Sequence, residues 1–157
     1  MRASQGTLEF RFERTIPARA PDLFDAWLNS SVAGNPWNAA ESFLLDAKIN
    51  GLFFWTLKGE SHYGRFTEFD RPRRMRHTWV SPHTRGEEST VVVTFQQLGE
   101  SSLMTLIHFD LPDHQIARAH EKGWDYFLTI FADQFGDGTR REYHWEEAHA
   151  PSTDGNL

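Results

Sequence analysis

The hydrophobic pattern of this chain changes period once, and that change limits the folds open to it. Up to Phe109, apolar and polar residues alternate in short runs; from Leu111-Pro112-Asp113 onward, apolar residues recur every three or four positions. A period of two marks strands with one buried face, and a period near 3.6 marks a helix with an apolar stripe. Leu8, Phe10 and Phe12 against Glu9, Arg11 and Glu13 give a first strand. Ile116, His120, Trp124, Phe127, Leu128, Phe131 and Phe135 give one face of a long helix ending near Gly136. Ile16-Pro17 stops the first strand, and Pro21 with Asp22 starts a helix carrying Leu23, Phe24, Trp27 and Leu28. The polar stretch from Asn29 to Asn35 ends it, and a further helical turn carries Trp37.

The segment from Glu41 to Phe109 reads as a meander. Strands are expected at 43–45, 52–57, 62–69, 75–80, 90–98 and 102–109. The turns between them fall at Asn50-Gly51, Lys58-Gly59-Glu60, Asp70-Arg71-Pro72-Arg73, a polar loop at 81–88, and Gly99-Glu100. Strands joined by short turns pair antiparallel. A single amphipathic helix must bury its stripe on that sheet, and a strongly twisted sheet wraps around it. The expected fold is therefore α+β: a curved antiparallel sheet of six to seven strands gripping a long C-terminal helix, with two short helices after the first strand. Residues 1–6 are expected to be disordered, 7–136 to form the domain, and 137–157 to be a mostly disordered polar tail in which Tyr143-His144-Trp145 is a docking candidate.

The 157 residues suit one domain. The absence of cysteine excludes disulfides, thiolate metal sites and thiol chemistry. A net charge of −6 argues against binding nucleic acid, and Arg71-Pro72-Arg73-Arg74-Met75-Arg76 reads as a solvated turn. No apolar run approaches the roughly 20 residues of a membrane span. Met1 to Gly6 shows no basic-then-apolar leader, so a cytoplasmic protein is expected.

Three segments resemble a known superfamily. They are Phe12-Glu13-Arg14-Thr15-Ile16-Pro17-Ala18, the long motif from Gly64-Arg65-Phe66 through Asp70-Arg71-Pro72 to His77-Thr78-Trp79, and His120-Glu121-Lys122-Gly123-Trp124-Asp125-Tyr126-Phe127-Leu128. With the order of elements, they resemble the START-like helix-grip (SRPBCC) superfamily. Within it the chain is similar to the proteins named after the activator of heat-shock protein 90 ATPase, and to polyketide cyclase-like proteins. The resemblance spans roughly residues 7–135. It implies a cavity between sheet and helix and no fixed catalytic residues.

Strand parity then proposes a cavity lining. Phe53, Trp55 and Leu57 share a face, as do His62, Gly64 and Phe66. Met75, His77 and Trp79 are placed inward, and so are Val91, Val93 and Phe95, with Val92 outward. The superfamily's usual histidine aligns with His108, which puts Met104, Leu106 and His108 inside. Leu103, Ile107 and Phe109 are then left outside, which suggests a homodimer surface. The helix adds His120, Trp124, Phe127 and Phe131, and Trp27 and Trp37 would close the mouth. With 13 Phe, 6 Trp and 3 Tyr, these rings can line a ligand pocket or simply fill a core.

The function expected from this pattern is binding of a hydrophobic or aromatic small molecule, lipid-, polyketide- or flavonoid-like, without a cofactor. The interior histidines offer an alternative, a cyclase- or dehydratase-like enzyme with His77, His108 and Glu68 as acid–base candidates. Glu68 has the simpler alternative of an exposed pair with Arg65 or Arg76. No local spacing matches a metal motif, and no metal is expected. Gly64 is expected to permit a bend or bulge, and Gly123 a close approach of helix to sheet. The resemblance also raises a chaperone-cofactor role.

Overall fold

A computed structural model describes residues 7–32 and 34–136. The expectations for residues 1–6 and for the tail at 137–157, including Tyr143-His144-Trp145, lie outside the described residues. The elements run β1 (Thr7–Ile16), α1 (Ala20–Trp27), α2 (Pro36–Ala39), β2 (Ser42–Leu45), β3 (Leu52–Leu57), β4 (Glu60–Asp70), β5 (Arg74–Trp79), a 3-10 turn (Pro82–Thr84), β6 (Ser89–Leu98), β7 (Ser101–Pro112) and α3 (Ala119–Asp133). The seven strands form one curved sheet in the order β1-β7-β6-β5-β4-β3-β2, with every pairing antiparallel.

Local chemistry sets the register. Lys58 and Gly59 both have positive φ, 54° and 76°, as a two-residue type I′ turn requires, and they pair Leu57 with Glu60. A bulge between Phe66 and Glu68 resets the alternation on β4. Phe66 and Phe69 consequently both pack inward, with rings 5.5 Å apart, while Glu68 stays outside. Gly64 owes its identity to something other than this bulge: a Cβ there would lie 2.0 Å from the Thr78 carbonyl oxygen.

The concave face carries Phe53, Trp55, Leu57, Phe66, Met75, Trp79, Val91, Val93, Phe95, Met104 and Leu106, all buried against Trp124, Phe127, Leu128 and Phe131 of α3. Burying one such side chain contributes about 1.5–3 kcal/mol, which makes this seam the main source of stability. Helix α1 plugs one end: Phe24 sits edge-on to Phe69 at 5.4 Å and to Phe95 at 5.9 Å.

Several expectations are corrected. β7 continues to Pro112 because β1 pairs along its whole length, Thr7 opposite Pro112. Turns then occupy the residues up to Arg118, so α3 begins only at Ala119, and Ile116 is 48% exposed instead of joining the stripe. Val92 is buried although its face is the outer one; it sits on a central strand between Arg76 and Ile107, whose larger side chains cover it. Leu103, Ile107 and Phe109 are half-buried, and the Arg76 guanidinium lies over the Phe109 ring at 5.4 Å. The exposed outward apolar row lies instead at the other edge, where Leu44, Phe54 and Tyr63 stand opposite one another on β2, β3 and β4.

Candidate functional site

A cavity of about 400 Å³ opens at the end of the grip away from α1. Three local devices build its walls. The type I′ hairpin fixes Leu57, Lys58 and Glu60 at its edge. Ser81 caps the 3-10 turn: its Oγ accepts from the His83 N–H at 3.0 Å while Thr84 Oγ1 accepts from the Ser81 N–H at 3.1 Å, and this holds His83 over the opening. Asn35 caps α2, accepting from the Asn38 N–H at 2.9 Å, and so positions Pro36 in the wall. From α3, Ala119, His120, Gly123, Trp124 and Phe127 complete the lining with Trp55, His62 and Trp79 of the sheet.

The aromatic walls are pinned by nitrogen. Trp55 Nε1 donates to the Pro36 carbonyl at 2.6 Å, Trp79 Nε1 to His120 Nε2 at 3.2 Å, and Trp124 Nε1 to His108 Nδ1 at 2.9 Å. A neutral imidazole has one donor and one acceptor, so these bonds fix the tautomers. His120 accepts at Nε2 and donates from Nδ1 to the Ala117 carbonyl at 2.7 Å. His108 accepts at Nδ1 and donates from Nε2 to Ser89 Oγ at 2.8 Å, and Ser89 donates to the Trp79 carbonyl at 2.7 Å. Burial keeps these rings uncharged: it pushes His120 down to about 4 and His108 well below the usual imidazole range. His62 falls to about 3, through burial first and then the neighbouring His83 and His120. Burial likewise takes His77 to about 4, with its Nδ1 donating to the Thr78 carbonyl at 2.9 Å.

Of the residues expected to touch a ligand, Trp55, His62, Trp79, His120, Trp124 and Phe127 line this cavity. Phe53, Phe66, Met75, His77, Val93, Phe95, Met104, Leu106, His108 and Phe131 are buried around it without forming its lining. Trp27 and Trp37 do not close the mouth: Trp27 packs edge-on to Phe131 at 5.1 Å and Trp37 on Phe53 at 5.5 Å. Glu68 lies on the outer side of the sheet, where it accepts from Arg74 Nε at 2.9 Å, a different arginine from the two expected. Among the described residues no group of three or more histidines and carboxylates is arranged to hold a metal.

Leu57 lines the cavity on the face that strand parity gives it, and Pro36, Lys58, Glu60, His83, Ala119 and Gly123 complete the lining beyond the sequence expectation. Gly123 follows His120 by three positions and precedes Phe127 by four, so helical spacing alone puts it on the cavity face. There the missing side chain leaves room for the cavity. His83 had a weaker signal, the Ser81-Pro82-His83-Thr84 capping pattern.

The sequence model of the family described as Activator of Hsp90 ATPase homolog 1-like protein matches residues 17–136. The chain belongs to this family. No curated protein matches it. Among solved structures, it is similar to an HSP90 activator from Plasmodium falciparum, with a TM-score of 0.69 at 21% identity over 82% of this chain and 96% of that one. It is similar to CalU16 from Micromonospora echinospora, with a TM-score of 0.64 at 20% identity over 81% and 74%. The Aha1 dimer from Colwellia psychrerythraea gives a TM-score of 0.68 at 12% identity over 84% and 98%. At these identities the likeness is one of fold.

Proposed function

We propose that this protein binds a hydrophobic or aromatic small molecule in the cavity between the β3–β4 end of the sheet and the first half of α3, and that it does so in the cytoplasm. The observation that carries the reading is the cavity itself: about 400 Å³ of space walled by Trp55, Trp79, Trp124 and Phe127. That volume lies within the range of small-molecule pockets. The acid–base alternative draws less support, because His108 has both ring nitrogens bonded within the protein and Glu68 lies on the other side of the sheet.

Gly123→Leu tests the reading. Leucine raises helix propensity by about 1 kcal/mol over glycine, so the variant should fold, while its side chain fills the cavity. Wild-type protein should show quenched or shifted tryptophan emission and a raised Tm with bicyclic aromatic probes, and Gly123→Leu should show neither. Equal binding by both proteins, or no response from the wild type, would count against this site.

A further inference from the structure

The polar groups of the cavity are unevenly available. All three wall tryptophans spend their indole N–H on the protein, on the Pro36 carbonyl, on His120 and on His108, so they show a ligand only carbon and π-face. His120 has both ring nitrogens occupied. His62 is 7% exposed, and its Nδ1 is buried with no hydrogen-bond partner. Apart from His62, the inner part of the cavity therefore rewards shape and apolar area. Further hydrogen-bonding capacity collects at the rim, in Lys58, Glu60 and His83, which are the more exposed of the polar lining residues. Glu60 Oε2 lies 3.3 Å from His83 Nε2, and both face the same opening.

The rim also carries both signs of charge. A carboxylate ligand meets Glu60, and an ammonium ligand meets Lys58. A neutral hydroxyl suits both, because it donates to the Glu60 carboxylate and accepts from Lys58 or His83. Resting on the binding reading above, we infer that the ligand has a flat apolar body, seated among Trp55, Trp79 and Trp124, and a single uncharged hydroxyl-bearing end held at the rim by Glu60 and His83. The rim then selects the ligand and sets the end that enters last.

Four probes of one shape test this at pH 7.5: naphthalene, 2-naphthol, 2-naphthoate and 2-naphthylmethylammonium, titrated by tryptophan quenching. 2-Naphthol should bind about tenfold or more tighter than naphthalene, as a hydrogen bond to a charged acceptor implies, and tighter than either ion. Glu60→Met keeps side-chain length and removes the carboxylate; His83→Phe keeps the ring against His62 and removes its nitrogens. In each variant the advantage of 2-naphthol over naphthalene should shrink, while naphthalene binds as in the wild type. Naphthalene binding without a hydroxyl advantage, an advantage that survives both substitutions, or preference for an ion would overturn the rim assignment and leave the binding site standing. Failure of all four probes to bind would remove both.

Discussion

The two ends of the grip solve the same packing problem differently. At the α1 end, Phe24, Phe66, Phe69 and Phe95 meet ring to ring beside Met75, and Phe66 and Met75 have no exposed surface. Hydrocarbon there is held only by contact, and contact leaves no gap. At the cavity end, each of the three wall tryptophans is tied by a directed bond from its indole nitrogen: Trp55 on the Pro36 carbonyl, Trp79 on His120 and Trp124 on His108. Directed bonds can hold rings apart where dispersion alone would draw them together. The contrast gives two of the buried histidines their place: His120 and His108 serve as acceptors for the indole N–H groups of Trp79 and Trp124.

The largest expected effect comes from acid, and it falls mainly on the cavity end. Burial holds His62, His77 and His120 in the folded protein at about 3, about 4 and about 4, and His108 well below the unfolded value near 6.5. Between the two values the unfolded chain holds protons that the folded chain refuses, so stability falls as pH drops through 6.5 and onward. Each histidine contributes a slope of up to about 1.4 kcal/mol per pH unit in that window. Urea denaturation from pH 7.5 to 4.5 should therefore show a loss of several kcal/mol. A flat profile would mean that these rings are not buried neutral.

A smaller difference separates the two ends directly. Phe66→Ala, in the filled end, should cost about 3–5 kcal/mol. Phe127→Ala, beside existing empty space, should cost clearly less, since part of its surroundings is already missing. Equal midpoint shifts in denaturant would erase the distinction between the two ends. The least effect belongs to the outer face. The half-exposed Glu68–Arg74 pair should contribute under about 1 kcal/mol, so Glu68→Gln should leave both Tm and probe binding nearly unchanged. A marked loss of binding would return Glu68 to the site.

Much of this contrast was legible in the sequence, but only up to a point. Alternation fixed the inward faces of β3 and β5 because antiparallel strands with one buried side follow parity closely, and His62 and His77 were placed inside by the same rule. Parity placed Val92 on the outer face correctly but could not show that it is buried there, because a central strand can be covered on both faces by larger neighbours. The helical period misjudged Ile116, which fits the stripe in spacing while β7 and its following turns occupy that length of chain. Trp27 and Trp37 show a deeper limit: hydrophobicity says that a ring is inside, and cannot say whether it fills space or borders it. Bordering depends on where the nitrogen bonds, and the partners of Trp79 and Trp124 lie 41 and 16 residues away in the chain. His83 escaped notice because its direction comes from a three-residue turn and not from any periodic element.

Gly123 gives this molecule a conflict of interest between endurance and capacity. A larger residue there would strengthen α3 by roughly 1 kcal/mol while narrowing the chamber. Screening variants for heat resistance alone would therefore favour an occluded protein, sturdier than its parent and with its vestibule stopped up.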